Sequence, residues 1–218
     1  MADTIDTPDS SPSPASQQPA ESVELEVERE EPARLPTALV YDPAMLDHHV
    51  PEEFPETPER LEQGIALIEA LIAEETLPAE KVLRLDARPA TSEELEAVHT
   101  PAYITKVRLA VERLREREGD DADPVKFATD VYISLGSYTA ATLAAGAPLV
   151  ALDAIGEGRA RNGYALVRPP GHHARPAQAM GFCLFNNVAV AARYAQKRWG
   201  WRKILIVDYD VHHGNGTQ

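Results

Sequence analysis

The sequence predicts an α/β fold: a three-layer parallel sheet with helices on both faces. Three observations carry that reading. Short apolar runs alternate along the chain with amphipathic helical patterns, the order expected of parallel strands joined by crossover helices. One run, Ile204-Leu-Ile-Val207, is apolar at four consecutive and mostly β-branched positions, as a strand buried on both faces requires. Two of the runs lead directly into polar residues capable of chemistry, and open α/β sheets place their sites beyond the C-terminal ends of their strands.

The elements follow in order. Thr37–Tyr41 reads as the first strand and the polar, Pro-rich stretch 42–58 as a loop, with His48 and His49 as a surface pair. Apolar residues at Leu61, Ile65, Leu67, Ile68, Leu71 and Ile72 mark an amphipathic helix over 59–75. Val82–Leu85 is a second strand. Thr91-Ser-Glu-Glu94 is a capping-box pattern opening a helix that runs towards His99, and Thr100-Pro101 restarts a helix with proline in its first turn. An acidic loop follows at 120–124. Small residues predict a helix over 137–145 that stops at Gly146, then a second over 148–155 closed by Gly156 and Gly158. Gly163–Val167 is a strand running into a His172-His173 loop. Asn186–Trp199 is an amphipathic helix ending at Gly200, and 203–207 is the final strand.

Residues 1–36 are rich in Ser, Pro, Asp, Glu and Gln. Such a composition buries too little apolar surface to offset the entropy of ordering, so a disordered acidic tail is expected ahead of a folded region over 37–218. The formal net charge is −14, and half of it comes from Met1–Arg34, with nine acidic and two basic residues. That balance argues against direct nucleic-acid binding. The single cysteine, Cys183, excludes an intramolecular disulfide and suits a cytoplasmic location. No signal-peptide pattern and no apolar run of membrane-spanning length is present, so no membrane partner is expected. Oligomeric state is left open.

Asp208, Asp210 and His212 are spaced i, i+2, i+4. On an extended chain they share one face. Two carboxylates on one face repel unless a cation sits among them. A divalent metal bound through carboxylate oxygen and imidazole nitrogen satisfies both residue types. His172 and His173 follow a Pro-Pro-Gly turn and therefore sit on a loop, and histidine is the side chain best suited to move protons near neutral pH. Phe182 is either a core aromatic or part of a pocket wall. Asp130 is either a helix N-cap or a rim residue.

Three motifs, Arg168-Pro-Pro-Gly171-His172-His173-Ala174, Gly181-Phe182-Cys183-Leu-Phe-Asn186-Asn187 and Asp208-Tyr-Asp210-Val-His212-His213-Gly214-Asn215-Gly216-Thr217-Gln218, resemble those of the zinc-dependent histone deacetylase and acetylpolyamine amidohydrolase family. The resemblance runs from about Leu39 to Gln218, and Asn215 makes it more similar to the class II members. It implies the arginase–deacetylase fold and hydrolysis of the acetyl amide of acetyl-lysine in proteins or of small acetylated amines. It implies zinc held by Asp210 and His212, and a potassium ion near the carboxylates of Asp208 and Asp210. His173 would be the principal general base and His172, oriented by Asp208, its electrostatic partner, with Asn215 orienting His173. Gly181 and Phe182 would line the acyl tunnel, Asp130 would contact substrate at the rim, and Arg60 would stand near the pocket floor, with an ordinary salt-bridge residue at the start of the helix as the equal alternative. The family's third zinc ligand, an Asp, and its oxyanion tyrosine are expected beyond residue 218, so the sequence reads as truncated at the C-terminus. The alternative is a non-catalytic fragment or binding module. An arginase-like dimanganese hydrolase shares the fold class, but the Pro-Gly-His-His loop speaks against it.

Overall fold

The computed structural model describes residues 35–218. The expected acidic tail, apart from its last two positions, lies outside the described residues.

The sheet is built on β1 (Thr37–Tyr41), whose Ala38, Leu39 and Val40 are buried. It pairs in parallel with β2 (Val82–Asp86) on one side and β5 (Asn162–Ala165) on the other, giving the order β2-β1-β5. Both neighbours come from distant chain, so helices must carry the crossovers. α1 (Glu59–Ala73) leads from β1 towards β2, while α2 (Ser92–Glu96), α3 (Pro101–Glu118) and α4 (Ser137–Gly156) lie between β2 and β5. The local signals act as expected. Thr91 closes a capping box with Glu94, Thr100 caps α3, and Gly200 ends α5 (Asn187–Trp199) in the left-handed conformation at φ 67°.

The structure corrects three expected elements. The two helices predicted over 137–145 and 148–155 are the single helix α4, with Pro148 inside it. Gly146 is no terminator. A Cβ there would lie 1.8 Å from the Arg88 carbonyl oxygen, so the residue is glycine to let the 88–90 segment pack against the helix. An interior proline costs about 3 kcal/mol. Burial of α4 on several faces, including Leu143, Ala147, Leu149 and Ala151, offsets that cost. As one piece, α4 is long and apolar enough to cross a membrane by length and composition, but it is a core helix packed on β1, β5 and α5. Second, β3 (Val125–Ala128) and β4 (Val131–Ile133) form an antiparallel hairpin in a region with no predicted strand.

Third, the run Ile204–Val207 joins no ladder among the described residues, and Leu205 and Val207 are 87% and 71% exposed. An apolar groove separates it from β5. It is lined by Gly163 and Ala165 of β5, by Ile204–Val207, and by residues of α4 and α5.

The main core lies where α3, α4, α5 and the hairpin meet. Tyr103, Leu149, Phe185 and Val190 are buried there, with Tyr103 edge-on to Phe185 at 6.1 Å between centroids. The Tyr103 hydroxyl donates to the Leu184 carbonyl at 2.7 Å, so the polar tip is satisfied. This core fixes the segment 183–187, which turns into α5 directly beneath the histidine loop.

Candidate active site

The loop 168–174 is held from below by an ion pair that sequence reasoning missed. Arg168 is 2% exposed. Its Nε donates to Glu56 Oε1 at 2.9 Å, its Nη2 to the Glu56 carbonyl at 2.9 Å, and its Nη1 to the His48 carbonyl. The internal arginine of this fold is therefore Arg168, and the expected one, Arg60, is exposed. His48 is also corrected: it is buried, with Nδ1 2.7 Å from Ser137 Oγ and Nε2 3.9 Å from Glu56 Oε2. Burial, reinforced by the nearby Arg168 charge, lowers its pKa to about 3. Burial raises Glu56 to about 7 against the opposing pull of Arg168, and its Oε2 is a buried oxygen with no hydrogen-bond partner. The sequence signal for this pair was Pro-Glu56-Thr-Pro ahead of α1, but nothing local tied it to a residue 112 positions away.

From the other side, the start of α5 clamps the same loop. Asn187 Nδ2 donates to the Pro169 carbonyl at 3.1 Å. Asn186 caps α5 through Ala189 N–H, and its Nδ2 donates to the Ala174 carbonyl at 3.3 Å and to Thr217 Oγ1 at 3.2 Å. Gly216 and Thr217 N–H both donate to the His172 carbonyl, at 2.9 and 3.1 Å. These bonds join the two motif segments, 168–174 and 208–218, around one point.

At that point the expected residues meet. The His172 and His173 rings lie 4.1 Å apart, and His212 stands 6.0 Å from His173. His172 Nδ1 is 2.9 Å from Asp208 Oδ2. The bond to His172, joined by the Asp210 N–H, holds the Asp208 carboxyl below its ordinary pKa. His173 Nδ1 lies 2.5 Å from the Asn215 side-chain amide, whose far side faces Arg175. Arg175 had no place in the expected site.

Asp208, Asp210 and His212 do not lie on a paired strand. Asp208 Oδ1 accepts from Asp210 N–H at 3.2 Å and Asp210 Oδ1 from His212 N–H at 2.7 Å, so successive side-chain caps shape the segment. This bends the chain while still bringing the three side chains to the histidine pair.

Asp210 Oδ1 and His212 Nδ1 are 3.0 Å apart. Zinc–ligand bonds of roughly 2.0–2.2 Å put neighbouring tetrahedral donors about 3.3 Å apart, so these two atoms suit a shared zinc ion. Among the described residues no group of three or more His, Cys, Asp or Glu side chains forms a metal cluster.

The rim gathers Phe182, Asp130 and two aromatics outside the expected site. Phe182 and Asp130 adopt left-handed backbones, at φ 67° and 55°, and Phe182 N–H donates to the Asp130 carbonyl at 2.9 Å. Asp130 therefore sits in the β3–β4 turn and caps no helix. Phe54 packs edge-on against Phe182 and Tyr132, at 4.8 and 5.1 Å. Gly181 backs the other side: a Cβ there would lie 2.3 Å from His173 Cδ2. Cys183 is buried beneath the loop, and burial pushes its thiol up to about 12. It packs as a small apolar residue.

Residues 54–218 match the histone deacetylase domain family, and the chain belongs to it. It is 43% identical to the human polyamine deacetylase HDAC10 over 191 residues, covering 84% of this chain and 27% of that protein. It is 41% identical to the histone deacetylase-like amidohydrolase of Pseudomonas aeruginosa, covering 82% of this chain and 42% of that one. Among solved structures, the HDA15 HD domain matches with a TM-score of 0.70 at 42% identity, covering 84% of this chain and 50% of the other. The arginase–deacetylase fold is therefore present, and the chain spans half or less of each of these relatives.

Proposed function

We propose that this chain belongs to a zinc-dependent deacetylase that hydrolyses the acetyl amide of acetyl-lysine in proteins or of small acetylated amines. The observation that carries the reading is the pairing of two adjacent histidines, each with its own polar partner, beside the Asp210–His212 donor pair. Relatives named for polyamine and for histone deacetylation support an acetylated amine as substrate.

Asp210 and His212 would hold the zinc, which when bound polarises the acetyl carbonyl and acidifies a water. A potassium ion beside Asp208 and Asp210 belongs to the same reading. The chain's own residues do the rest. The histidine pair moves a proton from the attacking water to the leaving amine. Asp208 keeps the His172 ring oriented. Phe182, backed by Phe54 and Tyr132, presents an apolar wall to the acyl-amine stem, and Asp130 meets the substrate at the rim.

The donor set favours one other reading. Two metal ligands among the described residues suit a chain that keeps a pocket without hydrolysing. Zinc content and turnover of an acetyl-lysine peptide and an acetylated polyamine, measured on one preparation of the protein isolated from its native source, separate the two. About one zinc per chain with turnover lost in His173→Ala is the expected result. Substoichiometric zinc and no hydrolysis of either substrate overturns the deacetylase reading.

A further inference from the structure

Two sulfur-bearing residues are tied together in the turn 180–183, and their surroundings differ. Met180 N–H donates to the Cys183 carbonyl at 3.2 Å, and Cys183 N–H donates to the Met180 carbonyl at 3.0 Å. The Cys183 thiol is buried, donates to the Gly181 carbonyl at 3.1 Å and receives the His173 N–H at 3.5 Å. Burial pushes it up to about 12, so at neutral pH it stays a thiol, and oxidants react with the thiolate. Met180 is 37% exposed, whereas Met45, the other methionine among the described residues, is 0% exposed and packed in the core. A thioether needs no deprotonation to react, so exposure decides which of the two is oxidised.

The Met180 sulfur also touches the site. It lies 3.5 Å from one end of the Asn215 side-chain amide. That same end faces the Arg175 guanidinium, with Nε at 3.1 Å and Nη2 at 3.3 Å, and the other end is 2.5 Å from His173 Nδ1. A thioether is a weak acceptor and does not compete for these groups. A sulfoxide oxygen is a strong acceptor. The guanidinium beside the same end of the amide is always charged and only donates, so it is the natural partner of that oxygen.

We propose that Met180 is a redox-sensitive modification site at the rim of the active site: hydrogen peroxide converts its thioether to the sulfoxide, and the new oxygen draws Arg175 off Asn215 and displaces the amide that supports His173. In the chemical step the sulfur lone pair attacks one peroxide oxygen. An S–O bond forms as the O–O bond breaks, and sulfur gives up an electron pair. The second oxygen leaves as hydroxide, takes the proton of the first and departs as water. A methionine sulfoxide reductase reverses the change with electrons from thiols. The effect on turnover rests on the deacetylase reading, and the modification itself does not.

Peroxide treatment of the folded protein isolated from its native source, followed over time by peptide mapping, tests this. The Met180 peptide should gain one oxygen while the Met45 and Cys183 peptides stay unmodified, and in denaturant Met45 should react as fast as Met180. Turnover by the same sample, of an acetyl-lysine peptide or an acetylated polyamine, should fall in step with Met180 oxidation. The expected loss is on the order of 10²-fold in kcat, as a displacement of about 1 Å among catalytic groups entails. Methionine sulfoxide reductase should restore the rate, and a thiol reductant alone should not. Met180→Leu, made in the same source, keeps an apolar side chain of similar volume and should hold its own starting rate through the treatment. Oxidation of Met45 or Cys183 as fast as Met180 in the folded protein overturns the proposal without any variant. So does full turnover once Met180 is oxidised, or a Met180→Leu protein that peroxide inactivates as fast as wild type. A protein oxidised selectively at Met180 that hydrolyses neither substrate before treatment sinks the deacetylase reading and leaves the modification site standing.

Discussion

A methyl group at residue 214 would sit 2.2 Å from Asp208 Oδ2 and 3.4 Å from His172 Nδ1. The absence of a side chain there lets the carboxylate and the ring meet. Gly214→Ala must push one of them away, and a displacement of about 1 Å costs on the order of 10²-fold in rate. The expected outcome is that loss in kcat with little change in unfolding free energy, read from turnover and urea denaturation of the same sample. His48 carries a second prediction at this scale. Its pKa falls from 6.5 to about 3 because burial disfavours the imidazolium. The unfolded chain therefore binds a proton that the folded chain refuses. His48 stabilises the fold fully above about pH 6.5, and that contribution shrinks as pH falls towards about 3. Glu56 acts with the opposite sign. Its raised pKa makes the folded chain the better proton binder, so its contribution is full below 4.5 and is lost as pH rises through about 7. Comparing wild type with His48→Gln isolates the first effect: the stability difference should change with pH only between about 3 and 6.5, to the disadvantage of the histidine in acid. A difference that is flat across that window overturns the assignment.

Among the elements, the histidine loop depends on a pair that links it to the segment entering α1. Arg168 and Glu56 are both nearly inaccessible, so removing one strands the other's charge. Arg168→Met should cost about 3–5 kcal/mol, whereas Arg168→Met with Glu56→Leu should recover most of the loss, because the desolvation penalty disappears with the charges. Chemical denaturation of the two variants measures this, and a double variant no more stable than the single one is the result that refutes it. α4 makes the second prediction. Gly146→Ala improves helix propensity but drives a methyl group into the Arg88 carbonyl at 1.8 Å and the Ala90 amide nitrogen at 2.8 Å. The expected sign is destabilising, by about 1–3 kcal/mol, because packing outweighs propensity at a buried position.

For the molecule as a whole, metal and fold are linked. On the proposed zinc reading the ion would bind the folded site and not the open chain, so chelation should lower Tm and added zinc should restore it, with a shift that grows with zinc concentration. The His212 side chain is 72% exposed, so His212→Ala should leave the metal-free Tm nearly unchanged and abolish the response to zinc. Scanning calorimetry with and without chelator checks both halves. A zinc response that survives in His212→Ala removes that residue from the ligand set. At the same scale, the molecule presents a run of apolar side chains along 205–211. Leu205, Val207, Tyr209 and Val211 are 87%, 71%, 96% and 91% exposed.

What the sequence determined by itself was whatever depends on near neighbours. The apolar run within Thr37–Tyr41, the capping box at Thr91, the left-handed Gly200 and the histidine motifs were all legible, since each is set by a few adjacent residues. So was the convergence of His172 with Asp208 and of His173 with Asn215, because those motifs are long and specific. Only the tertiary structure decided the rest. Gly146 and Pro148 read as helix breakers until the packing around α4 is known. His48 read as a surface residue until Arg168 and Glu56, 112 residues apart, close a polar floor around it. The hairpin β3–β4 forms through pairing that no local pattern announced, and Ile204–Val207 had every local property of a strand but no partner among the described residues.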